Sequence, residues 1–155
     1  MAYNRYLNNV IRTAHLQADS VTNAKTDGNQ PKHLEFLYDF TSAQGGTAGA
    51  IVLTAADGTA QQIPGNSIVM SFNAHVEVPV TSGGSATVAL GIVGDTDCFV
   101  GATAKGSLGL NVVLGNSNGT GLPVHVLAPT NVLATIGTAD LTAGKIKVFV
   151  SYIEV

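Results

Sequence analysis

The sequence has few charged residues, one cysteine and no tryptophan. Charged residues make up 11% of the 155 residues, whereas an average soluble domain has about 25%. The seven lysine and arginine residues never stand side by side, so the chain lacks the basic patch that nucleic-acid binding requires. A surface built mainly of small uncharged groups is suited to close packing against other subunits. We therefore expect protein partners and no nucleic acid.

The single cysteine and the absence of long apolar runs argue against an intrachain disulfide and a membrane-spanning segment. Cys98 cannot form an intrachain disulfide. It lies in the run D-T-D-C-F-V, where neighbouring acids raise the pKa of a thiol, so we expect a small buried side chain and not a nucleophile. No apolar run approaches the roughly 20 residues that cross a bilayer, and the N-terminus lacks a signal-peptide core. We expect assembly in the cytoplasm without a membrane partner.

Candidate chemical groups are scattered along the chain. The phosphate-binding pattern G-x-x-x-x-G-K-[ST] and the zinc pattern H-E-x-x-H do not occur. Asp95 and Asp97 in G-D-T-D supply at most two of the six to eight oxygens that calcium takes, and turn capping explains the same residues. The histidines stand far apart and are expected to be structural or exposed: His15, His33, His75 and His125. The sequence predicts no metal, no cofactor and no enzymatic activity.

Alternation of apolar and polar residues indicates β-strands. A period of two marks a strand with one buried face. Between residues 67 and 80 the apolar side chains fall on every second position: Ile68, Met70, Phe72, Ala74, Val76, Val78 and Val80. The same alternation ends the chain, with Ile146, Val148, Val150 and Tyr152. We expect a long internal strand and a second strand at the C-terminus.

Short β-like runs separated by Gly, Asn, Asp and Thr fill the rest of the chain from residue 34. Further strands are predicted at residues 34–40, 50–54, 61–63, 86–93, 98–102, 124–127 and 131–136, with apolar islands between 108 and 114. T-S-G-G-S is expected to join the strands 67–80 and 86–93 as a hairpin, and one helical turn is expected near residues 102–107. Seven to nine strands with almost no helix indicate an all-β antiparallel sandwich of jelly-roll type.

Residues 1–33 differ from the sandwich domain predicted for residues 34–155. Apolar residues recur at spacings of three and four, which is typical of an amphipathic helix of about three turns: Tyr3, Tyr6, Leu7, Val10, Ile11 and Ala14. The segment A-D-S-V-T-N-A-K-T-D-G-N-Q-P that follows has too few apolar side chains to form a core. We expect an extended, partly helical N-terminal arm that becomes ordered where it meets a partner.

Two stretches carry a resemblance to a known group of proteins. Residues 61–155, including I-P-G-N-S-I-V-M-S-F, the G-G-S connection, G-D-T-D-C-F and the closing L-T-A-G-K strand, resemble small structural proteins of tailed bacteriophages. The linker L-Q-A-D-S-V-T-N-A-K-T-D-G is similar to D-G-S-V-T-x-A-K-L units in the stems of homotrimeric phage fibres and spikes. Thr26 stands where those units have an apolar residue, which favours an anchoring arm over a fibre stalk.

The resemblance implies a homotrimeric decoration or cement protein on the outer surface of a capsid. Its partners would be further copies of itself and the major capsid protein or neighbouring virion subunits. Because Tyr and Arg are favoured at interface hot spots, the expected contacts are Tyr3, Arg5, Tyr6, Leu7, Val10, Ile11 and Arg12. The alternatives are a fibre or spike head that binds a host receptor or glycan, a tail or connector subunit, and a carbohydrate-active enzyme.

Overall fold

The computed structural model describes residues 30–115 and 121–155, and the described residues are almost entirely β-structure. One short 3₁₀ helix, Lys105–Ser107, accompanies the strands. The strands are β1 (Lys32–Asp39), β2 (Gly49–Val52), β3 (Ser67–Thr81), β4 (Thr87–Ile92), β5 (Asp95–Ala104), β6 (Val113–Gly115), β7 (Val124–Val126), β8 (Val132–Gly137) and β9 (Ala143–Glu154). The predicted all-β class is confirmed, whereas the amphipathic helix predicted between Tyr3 and Ala14 lies outside the described residues.

The strands form two antiparallel sheets. The five-stranded sheet has the order β1-β9-β3-β6, with β7 paired to the first residues of β3, and the four-stranded sheet has the order β2-β8-β4-β5. The pairs are nested along the chain, since β1 pairs with β9, β2 with β8, β3 with β6 and β4 with β5. The first and last described strands are therefore neighbours in one sheet.

The core lies between the two sheets. Along β9 the apolar residues Ile146, Val148 and Val150 are buried, as the alternation predicted. Phe72 on β3 and Phe99 on β5 stack with ring centroids 4.5 Å apart and an interplanar angle of 16°. Because these strands belong to different sheets, the aromatic pair directly connects the two layers.

The predicted hairpin between residues 67–80 and 86–93 is wrong. The corresponding strands, β3 and β4, belong to different sheets, and residues 82–86 cross from one sheet to the other. The Ser82 hydroxyl donates to the Asp140 carbonyl at 2.6 Å, and the Lys105 ammonium donates to the Ser82 carbonyl. Alternation shows only that each strand buries one face. It is equally compatible with two strands that pair in one sheet and with two strands that face each other across the core.

The predicted inward face of β3 is also wrong in part. Met70 is 52% exposed and Val78 is 42% exposed, whereas Val69 is fully buried. The pairing of β3 with β9 shifts between Val69 and Ser71 and again between Val76 and Thr81. Such a bulge adds a residue to one strand and exchanges the faces of the residues before and after it, so a uniform period of two does not hold along β3.

Three further predictions concern short segments of the chain. The predicted strand at 61–63 is reduced to an isolated bridge between Ile63 and Thr130. The last three residues of the run G-D-T-D belong to a strand, since β5 begins at Asp95 and not at Cys98. The predicted helical turn is confirmed by the 3₁₀ helix that follows β5.

Candidate interaction surface

Within residues 30–115 and 121–155, no three His, Cys, Asp or Glu side chains lie together as a metal-ligand set. Among those residues there is also no helix with the length and apolar character needed to cross a membrane. His33, His75 and His125 lie on β1, β3 and β7, and the exposed Asp95 and Asp97 lie at the start of β5. His15 lies outside the described residues.

Cys98 is 3% exposed. Burial raises the pKa of its thiol to about 11, and the nearby carboxylates of Asp95 and Asp97 add to the shift. At neutral pH the thiol is therefore protonated and is a poor nucleophile. The expectation of a small buried side chain is confirmed.

Ser117 lies within a sequence that fits a nucleophile pattern. Residues 115–119 read G-N-S-N-G, which fits the nucleophile pattern G-x-S-x-G. That pattern works when the serine lies on a sharp turn between a strand and a helix. Gly115 ends β6, the next strand is β7, and Ser117 itself lies outside the described residues.

The outward side of the five-stranded sheet, here called the outer face, brings together residues from distant parts of the chain. The register places Glu35, Phe149 and Asn73 in one row across β1, β9 and β3. The next row holds Leu37, Lys147, His75 and, on β6, Val113. Inward and outward residues alternate along each strand, so the residues between them face the core and these side chains face outward.

A charge ladder crosses the outer face, formed by Glu35, Asp39, Glu77, Lys145 and Lys147. The Lys147 ammonium lies 3.2 Å from a carboxylate oxygen of Glu35 and 3.1 Å from one of Glu77. The Lys145 ammonium lies 3.6 Å from Asp39 and 3.7 Å from Glu77. The two lysines of β9 thus connect β1 on one side with β3 on the other.

The ion pairs shift the pKa values of their members. The hydrogen bond from Lys147 lowers the pKa of Glu77, and the hydrogen bonds to Glu77 and Glu35 raise the pKa of Lys147. The pKa of Asp39 is lowered mainly by the Thr41 hydroxyl, which donates at 2.6 Å, with a smaller effect of Lys145. These shifts favour the charged forms of Asp39, Glu77 and Lys147 at neutral pH.

We expect Glu77→Gln to lower the free energy of unfolding by about 0.5–1 kcal/mol at pH 7, because it removes two partly exposed ion pairs. The folded-state pKa of Glu77 lies below its ordinary value of 4.5. The stabilisation is therefore complete above that pH and is lost as the pH falls through the lowered pKa. Urea unfolding from pH 7 to pH 3 should show the variant and the wild type converging in acid.

Asp95→Asn is the matched control for this prediction, since it removes one carboxylate at an exposed position outside the ladder. Its unfolding free energy should stay within about 0.5 kcal/mol of the wild type. A constant difference between Glu77→Gln and the wild type across the whole pH range would contradict the electrostatic origin of the effect.

Exposed apolar side chains also lie on the strands of the five-stranded sheet and in the segment before β6. Phe149 is 42% exposed, Met70 52% and Val113 65%, and Leu110, just before β6, is 60% exposed. Together with Val78, these are five of the nine large apolar residues that are exposed in the described part of the chain. Aromatic and methionine side chains are enriched at protein interfaces. The outer face is therefore the strongest candidate interaction surface.

The opposite outward side, on the four-stranded sheet, has a different character. Its outward pairs are Ala89 with Thr135, Gly91 with Leu133, and Val52 with Leu133. These side chains are small or uncharged, and Leu133 is only 6% exposed. The outward sides of the two sheets thus differ in charge and in the size of their side chains.

A groove of about 350 Å³ lies at one end of the sandwich. Val93 and Leu127 are its most exposed apolar lining residues, at 59% and 73%. The Gln62 amide donates to the Asn131 side-chain oxygen at 3.1 Å across its wall. No lining residue is an acid, lysine or arginine, so the groove offers no carboxylate, ammonium or guanidinium group to a small ligand.

The seven arm residues predicted as partner contacts, from Tyr3 to Arg12, lie outside the described residues, and their role stays a prediction. The outer face was not predicted as a site. Its only sequence signal was Phe149, an aromatic residue at an outward position of the C-terminal alternation. Strand pairing brings it beside Glu35 and Asn73, and local sequence does not reveal that pairing.

Chains in three solved bacteriophage capsid structures share this fold. A chain of the cyanophage Pam1 capsid asymmetric unit matches with a TM-score of 0.59 and 18% identity over 88% of this chain and 99% of the other. A chain of the Ralstonia phage GP4 capsid matches with a TM-score of 0.57 and 13% identity over 87% and 89%. A chain of the acid-stable capsid of Helicobacter pylori bacteriophage KHP30 matches with 0.55 and 12% over 81% and 89%. No protein-family model and no curated protein matches the sequence.

Proposed function

We propose that the protein is a structural virion protein, a homotrimeric decoration or cement protein that binds the outer surface of a tailed-bacteriophage capsid and stabilises it. The observation that carries the proposal is the shared fold. Three neighbours from the capsids of different phages match over nearly their full lengths. Because the matched shares of both chains are similar, those neighbours are about as long as this chain, which supports a small virion subunit.

The nested strand pairing supports a jelly-roll assignment of the sandwich. In a jelly roll, a long antiparallel hairpin folds over on itself into two sheets. The two ends of the chain then pair with each other, and successive inner strands pair in turn. The order β1-β9-β3-β6 and β2-β8-β4-β5 fits that scheme when β7 is set apart as an addition to β3.

A non-enzymatic role fits the described chemistry. The thiol of Cys98 is buried and protonated, and three of the carboxylates are engaged with lysines in the charge ladder. These groups hold strands together and offer no activated nucleophile. Binding by shape and many weak contacts is the function that such a surface supports.

We assign capsid anchoring to residues 1–30 of the predicted arm 1–33, since Lys32 and His33 belong to β1. Fully extended, about 30 residues span up to roughly 100 Å, which is enough to reach a neighbouring subunit. Residues 1–15 contain Arg5 and Arg12 and no acidic residue, so an acidic partner surface is favoured. Ordering such a segment on binding loses conformational entropy but covers a large area.

Deletion of residues 1–30 is expected to abolish binding to capsids while leaving the sheet domain folded. The test is cosedimentation of the full chain and the truncated chain with particles that lack the protein, beside the same mixtures with host cells. Within the full chain, Tyr3, Arg5 and Tyr6 changed together to alanine should weaken binding at least about tenfold, since aromatic and arginine anchors dominate interfaces.

The triple change of Asn4, Asn8 and Asn9 to alanine is the matched control and should leave binding unchanged. Unimpaired binding by the truncated chain would contradict the anchoring role of the arm. Binding to host cells but not to particles would replace the decoration role with that of a fibre or spike head.

The fibre-head alternative predicts exposed aromatic residues clustered on loops. Among the aromatic residues that the structure describes, only Phe149 is exposed, and it lies within β9. A tail or connector subunit would assemble with a symmetry other than three. The position of Phe149 favours the decoration role over the fibre head, and the subunit number in solution distinguishes it from a tail or connector subunit.

A further inference from the structure

We propose that the end of the sandwich at which β1 begins and the groove lies, here called the arm end, faces the capsid, and that the groove receives an apolar segment of the capsid protein. The inference rests on the proposed function and adds which part of the sheet domain makes the contact. Residues 1–30, the proposed anchor, precede the domain, and β1 begins at Lys32. The chain therefore enters the domain at one defined end of its strands.

The strand register places the first residue of β1 and the groove at the same end. Lys32 lies opposite Tyr152 on β9, and Tyr152 lies opposite Val69 on β3. Val69 in turn lies opposite Val124 on β7, and Leu127 of the groove follows β7. Three strand spacings across and three residues along give about 17 Å between the Cα atoms of Lys32 and Leu127. A standard interface buries about 800 Å² on each partner, a patch roughly 28 Å across, so one contact can include both residues.

The groove presents exposed apolar side chains on a hydrogen-bonded frame. Leu127 and Val93 line it and are 73% and 59% exposed. The Thr130 amide donates to the Ile63 carbonyl at 3.0 Å, and the Ile63 amide donates to the Thr130 carbonyl at 2.9 Å. The Leu127 carbonyl accepts from the Asn66 amide at 3.4 Å. Because these bonds hold the walls before a partner enters, binding in the groove costs little ordering of the backbone.

The lining residues favour an apolar protein segment as the occupant. The groove has no carboxylate, ammonium or guanidinium group, and its Gln62 and Asn131 side chains are bonded to each other at 3.1 Å. An apolar segment would remove Leu127 and Val93 from water without leaving a lining charge unpaired. The attachment of the proposed anchor at the same end favours the capsid protein as the source of that segment.

The opposite end of the strands has a different surface. The 15 residues of β3 separate the two ends by roughly 45–50 Å. At the far end the Ser82 hydroxyl donates to the Asp140 carbonyl at 2.6 Å. Three connecting segments at that end contain no exposed large apolar side chain: residues 40–48, 82–86 and 138–142. A polar surface without exposed large apolar groups is suited to contact with solvent.

Cysteine labelling of the full chain tests which end faces the capsid. Cys98 is the single cysteine of the sequence and is 3% exposed, so a maleimide reacts mainly with an introduced, exposed thiol. Leu127→Cys at the arm end and Ser85→Cys at the opposite end change exposed residues, and both should react in the free protein. On capsid particles, Leu127→Cys is expected to react at least about tenfold more slowly because the contact removes its access to the reagent, and Ser85→Cys should keep its free rate.

Substitutions in the groove measure its contribution to binding. The double change Leu127→Asp, Val93→Asp should weaken cosedimentation with particles that lack the protein at least about tenfold, since burial of unpaired carboxylates opposes binding. Val113→Asp is the matched control, because Val113 is 65% exposed but lies on the outer face, and it should bind as the wild type does.

Circular dichroism checks that each variant is folded. If the double aspartate variant does not fold, Leu127→Ser, Val93→Thr replaces it, since this pair removes apolar surface without adding charge. Its binding should be weakened in the same direction. A folded double variant of either kind that binds as tightly as the wild type would overturn the groove as part of the contact.

The outcomes separate this proposal from the proposed function. Absence of wild-type binding to particles would overturn the decoration role, and this contact with it. Wild-type binding with unchanged labelling of Leu127→Cys would overturn the arm end alone, as would protection of Ser85→Cys in its place. Slow labelling of Leu127→Cys in the free protein would show that this chain or a second copy already covers the groove, which would overturn the capsid protein as its occupant. Loss of binding by Val113→Asp alone would move the contact to the outer face.

Discussion

Phe99→Ala is expected to lower the free energy of unfolding by about 3–5 kcal/mol, the range for removal of a buried phenylalanine ring. Phe99 is fully buried on β5 and stacks on Phe72 of β3. The substitution removes the apolar area of the ring and leaves a cavity between two sheets that cannot close without bending. Urea unfolding followed by circular dichroism measures the loss, because the chain has no tryptophan to report fluorescence.

Phe149→Ala is the matched control for Phe99→Ala. It removes the same ring from a side chain that is 42% exposed, so the expected loss in the isolated subunit is about 1 kcal/mol or less. Phe72→Ala should match the loss of Phe99→Ala, and the double variant should lose less than the two single losses together, because the stacked pair is broken only once. Equal losses at Phe99 and Phe149 would contradict a core centred on the aromatic pair.

The sequence correctly predicts a strand in which inward and outward residues alternate without interruption. The C-terminal alternation from Ile146 to Tyr152 becomes β9 with its inward and outward residues as predicted, because β9 lies inside its sheet and its pairing with β1 is unbroken. The burial of Cys98 was also predicted, from its place beside a strand. A uniform pattern translates directly into one buried face.

The sequence does not predict where the alternation of inward and outward residues is interrupted. Met70 continues the alternation in the sequence, but a bulge in the pairing with β9 turns Met70 outward and Val69 inward. The predicted hairpin after β3 fails for a related reason, since partner choice between strands depends on the other sheet. Both errors come from tertiary pairing, which a local period of two cannot encode.

The candidate surface was beyond prediction for the same physical reason. Lys147 and Glu77 are 70 positions apart in the chain, and their ion pair exists only because β3 and β9 are neighbours. The sequence shows each residue as an ordinary outward charge on a strand. Only the order of the strands reveals that five such charges form a ladder beside Phe149.

Gly91→Ala is expected to lower the free energy of unfolding by about 3 kcal/mol or more, the upper range for insertion of a methyl group into a closely packed site. A Cβ atom at Gly91 would lie 2.3 Å from the Asp95 carbonyl oxygen, 2.4 Å from the Thr96 carbonyl carbon and 2.7 Å from the Asp97 amide nitrogen. All three are backbone atoms of β5, so no side-chain rotation relieves the contact. The start of β5 must move away from β4, which opens the hairpin that holds Phe99 against Phe72.

Gly83→Ala is the matched control for Gly91→Ala, because a Cβ atom there meets nothing within 4 Å and the backbone angle is one that alanine adopts. Its stability should stay within about 0.5 kcal/mol of the wild type. Thermal unfolding of both variants by circular dichroism measures the difference, and hydrogen exchange should show the largest loss of protection in residues 95–100. A Gly91→Ala protein as stable as the wild type would mean that the bulged start of β5 is not held against β4, and that the stacked aromatic pair alone positions this strand.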